Sequence, residues 1–322
     1  MSAPALEALV HTMRHEAEGI VSVEFRPSVG GADFPPFQAG SHIDLHLPNG
    51  LVRSYSLCNP SSDSGRYVVG VLNDRKSRGG SRWVHEQLRV GQVIGISVPR
   101  NNFELHEDAS HSVLVAGGIG VTPILSMLQR LVALGRPVEL LYCARNRREA
   151  AFVQAIEGHA GGATLRWHFD DEQGAPPNLE QLLAGRGASS HYYCCGPQPM
   201  LDAFEQACEK LGHVNVHVER FSASVPPASL GERGFEVVCE RSGRSVDVPA
   251  GKSILDAMID AGLQPDHSCR EGVCGACETA VLGFDGELQH HDGILTKVER
   301  QAGKTMMICV SRCSGSRLVL DV

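Results

Sequence analysis

Four cysteines carry the most specific chemistry in this sequence. Cys269, Cys274 and Cys277 follow one another as C-x4-C-x2-C, and Cys309 lies far downstream. Thiolates at this spacing can wrap a [2Fe–2S] cluster, three arriving from one tight loop and the fourth from a distant strand. Gly272 and Gly275 have no Cβ, so the loop backbone can close in and aim its amides at sulfur. A structural zinc site is the alternative; Cys274 and Cys277 would supply half of one, but Cys269 is then unexplained. Cys313 competes with Cys309 for the fourth position, and spacing does not choose between them.

A second constellation is Gly117-Gly118-Ile119-Gly120-Val121-Thr122-Pro123. A glycine turn that opens a helix presents backbone amides and a positive helix end to a phosphate. It is not the Rossmann fingerprint: Pro123 replaces the third glycine, and the next strand runs into Arg145 where an acid would stand. Alone, the turn reads equally well as structural. It gains weight from Cys194-Cys195-Gly196-Pro197 at the end of a later strand. With a strand order of 3-2-1-4-5, the two turns line one crevice at the switch point. Cys194 reads as a small buried thiol.

A third group is Arg53-Ser54-Tyr55-Ser56. On a strand Arg53 and Tyr55 share a face, which suits a ligand with a flat ring and a phosphate, and Ser56 can donate to a polar ring edge. Lys76-Ser77-Arg78-Gly79-Gly80-Ser81 is a basic turn that opens a helix near Ser81. It reads either as a monophosphate cradle or as an exposed charged loop.

These groups need three scaffolds. Residues 1–105 read as an antiparallel β-barrel domain: 42–47 alternates, Asn49-Gly50 makes a hairpin turn, 51–57 returns, and 67–71 and 93–98 add short strands. Residues 106–224 read as an α/β domain with a five-stranded parallel sheet, its strands at 112–116, 138–143, 164–169, 191–195 and 214–218. Thr122 and Pro123 are expected to cap and open its first helix. A Pro-rich stretch at 222–231 reads as a linker. Residues 233–322 form an α+β domain, with a hairpin around Ser242-Gly243 and a helix capped by Ser253 ahead of the cysteine loop.

The chain has 322 residues, and Lys+Arg 29 against Asp+Glu 37 leave a net charge of −8. That balance argues against a nucleic-acid partner. No apolar run is long enough for a membrane helix and no export signal is visible. With 11 cysteines and no such signal, reduced thiols in the cytoplasm are expected, some of them ligands. The pairs His42/His46 and His290/His291 read as strand or surface histidines. No Cys-x-His occurs, so a Rieske centre is absent from the sequence.

Taken together, the motifs resemble the phthalate dioxygenase reductase class, which includes vanillate demethylase reductases. These are ferredoxin–NAD(P) reductase-like flavoproteins with a C-terminal plant-type ferredoxin domain of β-grasp fold. The flavin motif R-x-Y-[ST] matches Arg53, Tyr55 and Ser56, within the stretch that includes Ser54. The phosphate turn G-R-G-G-S matches Arg78, Gly79, Gly80 and Ser81, with Ser77 in place of the first glycine. G-G-I-G-[IV]-T-P matches 117–123, C-G-P matches 195–197, and E-R-F matches Glu219, Arg220 and Phe221. Cys309, in C-V-S-R, is implied as the fourth cluster ligand, which leaves Cys313 without a role.

The resemblance implies FMN, NADH and a [2Fe–2S] cluster, with a separate Rieske-type oxygenase as acceptor. It places Arg53 and Ser81 on the FMN phosphate, Tyr55 on the flavin ring and Ser56 near its N5 edge. Gly117, Gly118, Gly120 and Thr122 would receive the NADH diphosphate, with Cys195 and Gly196 beside the nicotinamide and Phe221 over the flavin. Hydride brings two electrons and an iron–sulfur cluster takes one; a flavin converts between them, so no general base is needed. A P450-type enzyme or a separate ferredoxin as acceptor, and a non-catalytic redox carrier, are the competing readings. Asp170, Asp171 and Glu172 would disfavour a 2′-phosphate, whereas Arg145, Arg147 and Arg148 would favour one.

Overall fold

The computed structural model describes residues 4–322 apart from 32, 64, 76, 188 and 222–232. The expected linker at 222–231 and Lys76 therefore lie outside the described residues. Packing divides the chain once, into Pro4–Glu219 and Arg220–Val322.

The first unit opens with an antiparallel sheet. From edge to edge its strands are Val52–Ser56, Ser41–His46, Val93–Ile96, Leu6–Ala17, Ile20–Pro27 and Tyr67–Leu72, and Arg100–Asn101 pairs with Ser41–His46. The two edge strands meet at a bridge between Leu57 and Val69. The long hairpin of Leu6–Ala17 with Ile20–Pro27 was absent from the sequence reading. Its first strand shifts register between Val10 and Thr12 and again between His15 and Ala17, which breaks the alternation that marks a strand.

The parallel sheet runs Thr164–Phe169, Val138–Ala144, His111–Gly117, Ser190–Cys195, Val216–Glu219, the expected 3-2-1-4-5 order. Helix Val121–Ala133 begins one residue before the expected cap. Thr122 lies inside its first turn and its hydroxyl donates to the Ile119 carbonyl (3.1 Å), so it does not receive the orphan amides. Gly120 takes the cap position because the site is crowded: a Cβ there would stand 2.2 Å from the Cys195 carbonyl oxygen.

The two sheets of this unit share one core. Ala17, Ile20, Cys58 and Phe103 pack in the same cluster as Ile124, Leu128 and Tyr193, so no break in packing follows residue 105. Gly70 makes room at the joint, since a Cβ there would lie 2.6 Å from Thr122 Cγ2 and 3.0 Å from the Phe152 ring. Ser126 Oγ donates to the Asn59 carbonyl across the same joint (3.1 Å).

The second unit is a five-stranded mixed sheet ordered Arg244–Val248, Phe235–Cys239, Arg317–Leu320, Glu278–Phe284, Thr305–Met307. Phe235–Cys239 pairs parallel to Arg317–Leu320, and its other neighbour makes the expected hairpin. Helix Ile254–Asp260 is capped by Ser253, whose Oγ accepts from the Asp256 amide (3.0 Å), and it buries Ile254, Leu255 and Met258 in the core. Arg312 is wholly buried, with its guanidinium 4.9 Å above the Phe235 ring. It donates to the carbonyls of Lys252, Arg233 (2.9 Å) and Pro249 (3.3 Å), so the charge is dispersed over three backbone dipoles from two segments. Among the described residues no helix is long and apolar enough to cross a membrane.

Candidate functional site: a glycine crevice and a cysteine loop

On the edge strand Val52–Ser56, pairing sets Ser54 against Asp44, and Arg53 and Tyr55 against Leu45 and Ile43. The Ser54 hydroxyl is committed to Asp44 (2.5 Å), and Arg100 meets the other carboxylate oxygen. Arg53 turns toward helix Gly80–Gln87: a Cβ on Gly80 would lie 2.6 Å from Arg53 Cγ and 2.7 Å from its Nε. Gly79 caps that helix at φ +98, a conformation that favours glycine, and the first turn holds no acid. Arg53 thus lies against a helix start with no acid in its first turn, with Ser81 and the exposed Arg78 on the same turn. These residues fit a phosphate group.

The crevice at the carboxyl ends of the parallel strands is equally tight. A Cβ on Gly117 would strike Met200 Sδ (2.4 Å) and Pro197 Cδ (2.8 Å) and stand 3.3 Å from Gly196 Cα, and one on Gly120 would strike the Cys195 carbonyl oxygen, so the 117–120 and 195–200 turns meet closely. Gly118, at φ +53, has no atom within 4 Å of its Cβ position, and its carbonyl is held by the Tyr142 hydroxyl (3.2 Å). Gly196 lies between Gly117 and Met200. Thr122 Cγ2 lies toward Gly70, and its hydroxyl donates to the Ile119 carbonyl (3.1 Å).

Ser56, Glu219 and Cys195 come together where the antiparallel strand meets the ends of the parallel ones. Ser56 Oγ donates to Glu219 Oε2 (3.2 Å), and Cys195 Sγ lies 3.9 Å from the same oxygen. Burial pushes the Glu219 carboxyl up to about 8, against the hydrogen bonds from Ser56 and Cys195, so it is largely protonated at neutral pH. Burial, and then the Glu219 charge, push the Cys195 thiol well above its ordinary value. The Cys195 thiol is thus held in its neutral form. The sequence reading recognised Glu219 within a motif but gave it no role; a single acid at a strand end carries no signal until its partners are known. Phe221 belongs to the second unit and is 40% exposed.

All 11 cysteines are buried and none forms a disulfide. In the loop the thiols fall into two pairs. Cys269 is hydrogen-bonded to Cys274, and Cys277 Sγ lies 3.2 Å from Cys309 Sγ. Four thiolates on one zinc would be about 3.8 Å apart in every combination. Among the described residues, no three of these sulfurs lie within 4.8 Å of one another. Two pairs suit two irons. The amides of Glu271 (3.3 Å) and Val273 act on Cys269, and that of Gly272 acts on Cys309. Gly272 and Gly275 have positive φ, and a Cβ on Gly272 would lie 2.6 Å from Val310. Cys313 points elsewhere: its Sγ donates to the Asp285 carbonyl (2.9 Å) on the two-stranded ladder of Leu288–Gln289 with Arg312–Cys313. Among the described residues, His42/His46 and His290/His291 join no three-ligand group; a different trio, His106, His191 and His217, does.

Residues 237–314 match the 2Fe-2S iron-sulfur cluster binding domain, and residues 97–218 match the N-terminal domain of dimethylamine monooxygenase subunit DmmA-like proteins. The chain is 46% identical over 314 residues to phenoxybenzoate dioxygenase subunit beta of Ectopseudomonas oleovorans, covering 97% of this chain and 96% of that one. The solved structure of phthalate dioxygenase reductase, described as modular for electron transfer from pyridine nucleotides to [2Fe-2S], superposes with a TM-score of 0.73. It is 35% identical, with 98% of each chain covered. An intact type IV self-sufficient cytochrome P450 monooxygenase superposes with a TM-score of 0.86 at 39% identity, but this chain spans only 41% of it. With a core shared by an antiparallel and a parallel sheet, followed by a cysteine-loop unit, the chain belongs to the phthalate dioxygenase reductase family of ferredoxin reductase-like flavoproteins.

Proposed function

We propose that the protein is the reductase component of a two-component oxygenase, moving electrons from NADH through FMN and a [2Fe–2S] cluster to a Rieske-type partner. The observation that carries this is the Ser56–Glu219–Cys195 contact, which brings the flavin-type strand to the mouth of the nucleotide crevice. A bound flavin would supply two-electron hydride chemistry, and a bound cluster single-electron transfer. The chain's own work is placement. Arg53, Arg78 and Ser81 hold the flavin phosphate, and a single cradle of that kind favours FMN. Tyr55 packs on the ring. Ser56 is oriented by Glu219, and the uncharged Cys195 and Glu219 leave the nicotinamide pocket free of a competing negative charge. Gly117, Gly118, Gly120 and Gly196 admit the diphosphate. Cys269 and Cys274 hold one iron, Cys277 and Cys309 the other.

NADH is favoured over its 2′-phosphorylated form by the ion pairs at the second and third strand ends. Arg147 is taken by Glu172 (2.5 Å) and Arg145 by Glu149 (3.1 Å), which lowers the cationic charge available to a phosphate. We read residues 1–105 as an antiparallel β-barrel flavin domain, 106–224 as the nucleotide domain, and 233–322 as a β-grasp ferredoxin domain.

The test is an anaerobic NADH titration of the purified protein, followed by release of the flavin and its identification by mass. Bleaching of both chromophores and recovery of FMN are expected; a sample without flavin, or one NADH leaves unchanged, overturns the reading. A P450-type acceptor is the second reading, favoured by the superposition on the self-sufficient P450. Turnover with each purified acceptor separates the two.

A further inference from the structure

The parallel sheet carries a second cluster of metal-ligating side chains, set back along the strands from the nucleotide crevice. His191 sits near the start of Ser190–Cys195, about 13 Å along the strand from Cys195 at about 3.3 Å per residue. His217 lies on the adjacent strand Val216–Glu219, in register with Tyr193. His106 comes from the segment that precedes His111–Gly117. The ligand atoms of all three lie within 4.8 Å of one another.

We propose that His106, His191 and His217 form a three-imidazole site for a divalent transition metal of the Zn2+ class. Two nitrogens bound to one ion at about 2.0–2.1 Å, at angles between octahedral and tetrahedral, stand about 2.9–3.4 Å apart. His191 Nδ1 and His217 Nε2 are already 3.1 Å apart. Their rings are nearly parallel, 7° between planes, and Tyr193 stacks on His217 at 4.6 Å, so a sheet and a buried aromatic hold both ligands. The same Tyr193 hydroxyl accepts from the His106 backbone amide (2.9 Å) and pins the third ligand's segment over the pair. His106 is the exposed member, and its ring is 4.7 Å from that of His191 and 5.0 Å from that of His217. A modest side-chain rotation completes the set. Three imidazoles and no thiolate suit zinc, nickel or copper, and a water would fill the fourth position.

The holoprotein is dialysed against micromolar Zn2+, and zinc and iron are counted in the same sample, so that zinc in a vacated cysteine loop is recognised by loss of iron. One zinc beside two irons per chain is expected, with a rise in Tm that depends on zinc concentration. H106Q, at an exposed position, should weaken binding by about tenfold or more at unchanged iron. The double variant H191Q/H217Q should abolish it, and H159Q, outside the trio, should leave it intact. Wild-type protein without zinc, or H106Q binding as wild type does, overturns the proposal; the H106Q result stands even where the double variant fails to fold.

Discussion

The glycine crevice and the cysteine loop are both built on close backbone approach, yet they hold their guests by opposite means. In the crevice the side chains are missing where the guest belongs: Gly118 faces open space, while Gly117 and Gly120 also let two turns touch. In the loop the side chains are themselves the ligands, all four thiols are buried, and Gly272 is pressed against Val310. An open turn suits a cosubstrate that arrives and leaves with each turnover. A sealed loop suits a group inserted once and retained.

The sharpest break of this contrast is Cys274→Ser. It should lose the cluster absorbance entirely while NADH still bleaches the flavin, and cytochrome c reduction should fall by an order of magnitude or more. Wild-type cytochrome c reduction would contradict the proposed electron order. Gly120→Val tests the other region: with a Cβ 2.2 Å from the Cys195 carbonyl, it should destabilise by about 1–3 kcal/mol or more and slow NADH bleaching, with the cluster spectrum kept. Arg53→Ala removes a charge-assisted contact of about 1.5–3 kcal/mol, so FMN should be held about 10–100-fold less tightly in equilibrium dialysis.

Two smaller effects sharpen the picture. Glu219 has its folded pKa raised to about 8, above the unfolded value near 4.3, so the folded state binds the extra proton between those limits. Its contribution is complete below about pH 4 and is lost as pH rises through 8; Tm of Glu219→Gln should therefore fall less than that of wild type across this window. A parallel pH dependence in both proteins would remove Glu219 from the account. Last, Cys313→Ser should keep the cluster, whereas Cys309→Ser should not; iron analysis reads both.

Legibility in the sequence followed how local the cause was. The parallel strands were readable because buried strands are continuous apolar runs, as in His111–Gly117. The cysteine spacing was readable because three of its ligands share one loop. The first hairpin was hidden by its two register shifts, and the joint at Gly70 by the distance in sequence between Gly70, Thr122 and Phe152. Thr122 looked like a cap because its type and position fit one; only the crowding at Gly120 moves the helix start. Glu219 and the histidine trio needed the fold itself, since their partners come from separate strands.

Arg312 reaches back to the carbonyl of Arg233, the first described residue after the undescribed stretch. The cluster-bearing unit thus carries a clasp on its own leading end. Loss of the Arg312 guanidinium would therefore loosen that leading end together with the Phe235 side of the core.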